Sequence, residues 1–245
     1  MSSIIYEPTG KAREYADLAC NVYSGCDHGC LYCFAPAVTV KKRVIFETPK
    51  VRPGEFLKKL EKEASERKVS YPILLCFTTD PYQTFDIKEQ VTRQAIQILH
   101  QYGHHVTVLT KGGSRALRDL DLFTPKDAFA TTLTCLDPVK SMIWEPGAAS
   151  PKDRISTIHK FYNAGIPTWV SLEPVLYPED ALAIIQDTHD FVGLYKIGKL
   201  NYHADAKLTD WFKFAANVTS LLDRLGCKYM IMNDLKPYLP VKPAV

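Results

Sequence analysis

No stretch of this sequence approaches the roughly 18 to 20 apolar residues needed to cross a bilayer. The first ten residues also lack the charged-then-apolar layout of a secretion signal. Both absences lead us to expect a cytoplasmic protein with no membrane partner. Charge of one sign is lacking as well: 30 Lys and Arg face 27 Asp and Glu, a net charge of +3, too little by itself to imply a nucleic-acid partner. There is no low-complexity linker, internal repeat or charge block to divide the chain. Its 245 residues therefore suit one domain. A hydrophobic fraction of 46% with 23% charged residues excludes a disordered or fibrous chain. Cysteine, by contrast, is present in an informative way. There are seven, an odd number, and three fall within positions 26–33. In a reducing compartment that crowding argues for metal ligands over a disulfide framework.

Past the cysteine cluster, short apolar runs alternate with helical patterns at a regular pace, which is how repeated βα units read. Strands are expected over 18–23, 72–78, 105–110, 128–133, 167–172 and 191–197, and helices over 54–68, 87–102, 114–122, 151–164, 178–187 and 207–225. The helix from 151 is the best marked, with Ser150 as N-cap, Pro151 at the first helical position, Asp153 in the first turn and Gly165 to end it. The plan is α/β, a partial TIM-type (β/α)6 barrel in a single domain. An N-terminal extension is expected over 1–17, a core over 18–225, and a C-terminal strand or tail over 226–245.

The segment Gly25-Cys26-Asp27-His28-Gly29-Cys30-Leu31-Tyr32-Cys33 follows the first expected strand, so it sits on a loop at a strand's carboxyl end, where barrel enzymes do chemistry. Iron-sulfur clusters generally take four thiolates, so Cys26, Cys30 and Cys33 would leave one iron open to substrate or cofactor. A zinc site made by the three cysteines with His28 is the other reading of the same residues. Cys20, Cys76, Cys135 and Cys227 lie in or beside apolar runs, where free cysteines behave as small hydrophobes.

A C-x-x-x-C-x-x-C run with an aromatic, here Tyr32, just before the third cysteine resembles the signature of the radical S-adenosylmethionine (SAM) superfamily. That resemblance implies a [4Fe-4S] cluster whose open iron chelates the amino and carboxylate groups of SAM, and reductive cleavage of SAM to a 5'-deoxyadenosyl radical that abstracts hydrogen from a substrate. Members often bind the methionyl amino group with a Gly-Gly-Glu run after the second strand. Here Thr78-Thr79-Asp80-Pro81-Tyr82-Gln83 stands in its place, and this looks like the spore photoproduct lyase-like branch. Thr78, Thr79 or Asp80 would accept from the ammonium group. Thr110-Lys111, Trp144-Glu145-Pro146, Ser150-Pro151-x-x-Arg154 and Ala164-Gly165-Ile166-Pro167 extend the likeness along the chain. Lys111 is placed to meet the SAM carboxylate, and Arg154 either does so with its forked donors or is a surface cation. Among Thr131, Thr132 and Thr134, one is expected to contact SAM, Thr132 being our choice. Glu145 and Glu173 are candidates for SAM or substrate, or else solvated loop carboxylates.

The same resemblance suggests a nucleic-acid base as substrate, with a peptide or small metabolite, or a non-catalytic metal module, as alternatives. Cys76 stands two residues before Thr78, so it is expected to share its strand face and is a candidate hydrogen donor, or a small core side chain. Residues 41–68 carry ten Lys and Arg against five Glu, which suits DNA or RNA phosphates or a solvated helix face held by pairs such as Glu55 with Lys59. Reductive chemistry further implies an electron donor such as flavodoxin or ferredoxin. With few residues after the sixth unit, a partner protein or the substrate would cover the barrel mouth.

Overall fold

The computed structural model describes residues 3–68, 71–201 and 203–240. Its strands in chain order are β1 (Leu18–Ala19), β2 (Tyr23–Ser24), β3 (Lys50–Val51), β4 (Ile73–Leu75), β5 (Val106–Thr110), β6 (Ala128–Thr132), β7 (Thr168–Val175), β8 (Leu194–Lys199) and β9 (Tyr229–Ile231). Seven of them form one sheet in the order β1-β4-β5-β6-β7-β8-β9, every neighbouring pair parallel. The sheet curls into the partial α/β barrel expected from the sequence, with β9 adding a seventh strand. β2 and β3 pair antiparallel in a small ribbon outside it.

Helices α1 (Ala35–Val38), α2 (Arg43–Phe46), α3 (Phe56–Glu66), α4 (Asp86–Glu89), α5 (Val91–Gln101), α6 (Pro138–Trp144), α7 (Pro151–Asn163), α8 (Pro178–Thr188) and α9 (Trp211–Arg224) connect the strands. Alternate strand residues, among them Ile73, Val106, Phe129, Val170 and Ile197, pack with helix residues such as Leu60, Ile96, Phe161 and Ile184 in one large cluster. Phe129 and Phe161 stack face to face with ring centres 3.7 Å apart. The opposite face carries a smaller cluster of Tyr15, Ala19, Leu74, Ala130, Trp169 and Met232. Tyr15 comes from the N-terminal segment, which also bridges to β1 through Tyr6 and Ala19. Burial of both faces explains why these strands read as continuous apolar runs.

Three departures from the sequence reading have local causes. The expected strand 18–23 breaks after Ala19, because Asn21 Oδ1 takes the Phe77 and Thr78 amides at 3.0 Å each and the chain leaves the sheet to begin the cysteine loop. The expected helix 87–102 breaks at Gln90, which adopts a left-handed conformation at φ +50°, while the buried Asp86 carboxylate takes the Thr92 amide at the start of α5. Residues Gly113–Leu122 wind as a 3-10 helix. The marked helix behaves as expected: α7 starts at Pro151, Ser150 caps the Asp153 amide at 3.2 Å, and Gly165 follows at φ +78°. Glu55 pairs with Lys58 at 2.6 Å rather than with Lys59, since Glu55 itself lies outside α3 in a left-handed conformation.

Asp127, 1% exposed, ties β5 to the turn before β6. Its Oδ1 takes the Val106 amide at 2.8 Å and faces His100 Nε2 at 3.0 Å, and its Oδ2 takes the Thr124 amide and hydroxyl at 2.8 Å each. Burial alone would raise this carboxyl, but the His100 ring and the Val106 and Thr124 donors outweigh it and hold it at about 2. The folded value lies below the unfolded one near 3.9, so the stabilisation is complete above that pH and disappears as pH falls toward 2. It amounts to about 2 kcal/mol. Chemical unfolding of Asp127→Asn should show an acid limb between pH 4 and 2 that is flatter by about that amount, and an unchanged limb would contradict this assignment.

Candidate cluster and cofactor site

The three clustered thiols need a loop that turns back on itself without a strand ladder to hold it. Gly25, at φ +108°, supplies the first turn, and a Cβ there would press into the Phe46 carbonyl oxygen. The peptide groups are then held from outside. Cys26 N–H donates to the Phe46 carbonyl at 2.9 Å, Leu31 N–H to that of Trp144 at 2.9 Å, and Gly147 N–H to that of His28 at 2.9 Å. Arg43 reaches back from α2 and donates to the carbonyls of Gly29, Cys30 and Leu31 at 3.0, 2.5 and 3.3 Å. Gln83 bonds both the Asp27 amide and the Gly25 carbonyl, while the Asp27 carboxylate takes the Thr84 and Phe85 amides.

Cys26, Cys30 and Cys33 thereby line one cavity, together with His28, Pro36, Arg43 and Phe46. All three are free thiols. Burial pushes each of them up, Cys30 to about 12, so a bound metal would have to displace their protons. Cys20, Cys76, Cys135 and Cys227 lie elsewhere. Among the described residues no three His, Cys, Asp or Glu side chains are gathered closely enough for a single metal ion. Thiols spread around one cavity suit a multi-iron cluster, which presents its irons at separate corners. His28 is 1% exposed, and neither ring nitrogen has a hydrogen-bond partner. Its Nδ1 faces Asp80 Oδ2 at 3.5 Å, and burial lowers its pKa to about 4.

The strand ends beside this cavity hold the other candidates. Asp80, 6% exposed, accepts from the Tyr82 amide at 2.8 Å, the Thr110 hydroxyl at 2.6 Å and the Lys111 amide at 2.7 Å. It thus joins the ends of β4 and β5. Its burial is outweighed by His28, Lys111 and these donors, which hold the carboxyl below its usual range. Thr79 is 9% exposed and, among the described residues, its buried hydroxyl makes no regular hydrogen bond, lying only near the Cys76 thiol. Thr78 is fixed through its amide to Asn21. Lys111 has its burial offset by Cys30, Glu145 and Asp80, which keep it protonated; among the described residues its ammonium makes no ion pair. Thr131 donates its hydroxyl to the Thr110 carbonyl at 2.9 Å, and Thr132 and Thr134 are buried nearby on and after β6.

Arg154, expected to face the SAM carboxylate or to be a surface cation, is not at the surface. It is 1% exposed, and its donors go to Glu145 Oε2 at 2.5 Å, the Thr132 carbonyl at 2.8 Å, the Ala149 carbonyl at 2.7 Å and the Ser141 hydroxyl at 3.1 Å. Glu145 is likewise buried, not solvated, and its second oxygen accepts from the Tyr32 hydroxyl. Tyr32, Glu145 and Arg154 so form one chain from the cysteine loop to α7. Cys76, read as a hydrogen donor or a small core side chain, is 2% exposed. It packs with Cys20, Val22 and Leu75 rather than with Leu74 on the helix-free face, its sulfur takes the Val22 amide at 3.5 Å, and burial pushes its thiol well up. Glu173 is held by Lys11 and Tyr15 on the opposite wall, where burial raises its carboxyl.

Asn21, Gln83 and Arg43 went unread in the sequence as site residues. In the sequence Arg43 falls among the cations of residues 41–68, which suit phosphates or a solvated helix face. Its proximity to the cysteine run was the only available signal, since its partners are backbone carbonyls that carry no side-chain signature.

The profile of the Radical SAM superfamily matches residues 20–192. An uncharacterised protein of Mycobacterium tuberculosis is 28% identical over 171 residues, 64% of this chain and 48% of the relative. One from Methanocaldococcus jannaschii is 25% identical over 198 residues, 79% of this chain and 74% of the relative. The chain thus spans about half the length of the mycobacterial relative. Among solved structures, spore photoproduct lyase complexed with dinucleoside spore photoproduct superposes with a TM-score of 0.68 at 14% identity, over 92% of this chain and 80% of that one. SuiB of Streptococcus suis bound to S-adenosylmethionine gives 0.66 at 12% identity, over 91% and 52%. At these identities the superpositions establish a shared fold.

Breaking a buried ion pair from one side leaves an uncompensated charge and costs about 3 to 5 kcal/mol. Arg154→Met should destabilise the chain by that order in urea unfolding, and Arg154→Met combined with Glu145→Gln by less than the sum of the single changes. Strict additivity in this cycle would mean that the two side chains are not coupled.

Proposed function

Because the chain belongs to the radical SAM superfamily, whose members use a [4Fe-4S] cluster and SAM, we propose that it is an enzyme that holds the cluster on Cys26, Cys30 and Cys33. The observation that carries this reading is the convergence of these three thiols, and no other cysteine, on one cavity at the carboxyl edge of the sheet. When bound, the cluster and SAM supply the hard chemistry, reductive release of a 5'-deoxyadenosyl radical; the protein supplies orientation and exclusion of water.

Each neighbouring side chain then has a task consistent with its surroundings. Lys111, protonated and without an ion partner among the described residues, binds the SAM carboxylate. The Thr79 hydroxyl, which makes no regular hydrogen bond among the described residues, and Thr78 accept from the SAM ammonium, a donor-only group. Asp80 holds Thr110 and the Lys111 backbone in place. Thr132 lies on the same edge and contacts the ribose. Tyr32 is fixed by Glu145, which Arg154 fixes in turn, so these three orient the cysteine loop against the cofactor. We assign Cys76 to the core, since its sulfur is buried among Cys20, Val22 and Leu75.

For the substrate we propose a nucleic-acid base, on the strength of the fold shared with spore photoproduct lyase. Among the described residues no helix is long and apolar enough to cross a membrane, in keeping with a cytoplasmic setting, where flavodoxin or ferredoxin would be the reductant.

Anaerobic reconstitution should give about four iron and four sulfide per chain and a visible absorption that Cys30→Ala abolishes. One zinc with neither iron nor sulfide would establish the metal-module alternative. Lys111→Ala should keep the absorption and weaken SAM binding by about tenfold or more in equilibrium titration, as expected for loss of a charged hydrogen bond; unchanged affinity would remove Lys111 from the site. DNA binding that is absent even at low salt would turn the search toward peptides or small metabolites.

A further inference from the structure

The most unusual surface of the molecule lies just outside the cysteine cavity. Leu31, Val38, Val40, Val44 and Ile45 are 48%, 62%, 92%, 68% and 59% exposed, all within fifteen residues of sequence. Val139, Met142 and Ile143 on α6 are exposed at 59%, 63% and 59%. Their spacing puts them on one outward helix face, and the two segments meet where Leu31 N–H bonds the Trp144 carbonyl. Contiguous aliphatic exposure of this kind marks an interaction site.

Charge completes the description. Lys41, Lys42 and Lys50 lie beside α1 and α2 and Lys140 stands on α6; Lys41 donates to the Ser24 hydroxyl at 2.6 Å and Lys140 lies 4.1 Å over the Tyr177 ring, and none has a carboxylate partner among the described residues. Glu47, the one acidic residue between positions 31 and 50, is neutralised by Arg43 at 2.7 Å. An aliphatic centre with an unpaired basic rim complements a protein with an acidic rim. It suits a nucleic acid poorly, because bases call for aromatic platforms and phosphates for polar contacts.

The position decides which acidic protein. Pro36 of α1 and Arg43 and Phe46 of α2 line the cavity of the three cysteines, so α1 and α2 form its outer wall. A partner seated on the far side of that wall comes within about one helix diameter, roughly 10 Å, of whatever the thiols hold. Two single-turn helices and one helix face also match the small interfaces, below about 1,200 Å², typical of electron-transfer encounters.

We propose that α1, α2 and the outward face of α6 are the docking surface for a small acidic one-electron carrier protein, whose redox centre reduces the cluster across this wall. This inference rests on the cluster reading above. The step balances simply: a reduced [2Fe-2S] ferredoxin loses one electron and returns to its oxidised form, the cluster gains that electron, and no bond or proton is transferred.

The test uses the iron-sulfur-loaded protein with a reduced acidic [2Fe-2S] ferredoxin in anaerobic stopped flow, alongside dithionite as a small reductant. Calorimetric titration with oxidised ferredoxin measures binding without turnover. Val40→Glu with Val44→Glu, both at exposed positions, should slow reduction by ferredoxin and weaken its binding by about tenfold, and Lys42→Glu should do so mainly at low salt. Reduction by dithionite should not change. Equal behaviour of variants and parent toward ferredoxin would overturn the proposal. So would a loss of self-association or of DNA binding in the variants with ferredoxin binding intact, which would assign the surface to a second copy or to nucleic acid. Failure of the parent protein to bind iron and sulfide, or to be bleached by dithionite, would instead overturn the cluster reading itself.

Discussion

A loop that carries three thiols at the end of a strand has no ladder to define its shape, so everything at this site depends on side chains that bond its backbone from elsewhere. Arg43 takes three consecutive carbonyls from Gly29 to Leu31, and Gln83 joins the Gly25 carbonyl to the Asp27 amide. The Asp27 carboxylate in turn caps the Thr84 and Phe85 amides, so the loop and the residues after β4 fix one another. A buried peptide group without a partner costs about as much as a lost hydrogen bond. The loop therefore keeps its form only while these partners do, and the cavity inherits its shape from bonds to the loop's backbone, in which no cysteine thiol takes part.

Electrostatics impose a second condition. Beside the cavity, Lys111 and Arg154 are positive and Asp80 and Glu145 negative; Arg154, Asp80 and Glu145 are buried and Lys111 is half-buried. Arg154 answers Glu145 directly at 2.5 Å, and Asp80 is satisfied by three neutral donors. Lys111 is left as the positive charge felt by Cys30 and Cys33. Loading three deprotonated thiols adds negative charge to a low-dielectric site, and an ammonium without a fixed partner is the group best able to offset it. The same ammonium remains available to a carboxylate, so the arrangement favours cluster and amino-acid ligand together.

How much of this is legible in the sequence follows from what kind of interaction each residue makes. The cysteine spacing, the Ser150-Pro151 cap and the alternation of strand and helix are local patterns, and they appear in the structure where they were read. Arg154 and Glu145 were singled out, yet the sequence offered no way to see that they bond each other nine positions apart across α6 and α7. Cys76 shows the limit of strand alternation: it lies just past the end of β4, where the two-residue period no longer governs which way a side chain points. Arg43, Asn21 and Gln83 act on backbone groups, and a peptide carbonyl is the same in every residue. Side chain to backbone bonds at long range therefore leave no pattern to read.

The helix-free face makes the same point from the other side. Lys196 on β8 is 6% exposed, and its ammonium lies 4.9 Å from the Tyr15 ring centre and 4.8 Å from that of Trp169, donating to the Tyr15 carbonyl at 2.9 Å. Burial lowers its pKa to about 8, a value that in isolation would suggest acid-base work. Its surroundings argue otherwise, because two aromatic faces and the Tyr15 carbonyl already surround the charge, and the nearby Glu173 and Glu14 carboxylates favour its protonated form. Tyr15 in turn bonds Ser171 at 3.0 Å and Glu173 on β7, while Lys11 joins Glu173 to Asp234. Lys196, Lys11 and the Tyr15 phenol thus stitch the N-terminal segment to the last strands of the sheet. These contacts tie the helix-free face of the sheet together from β7 to the residues after β9.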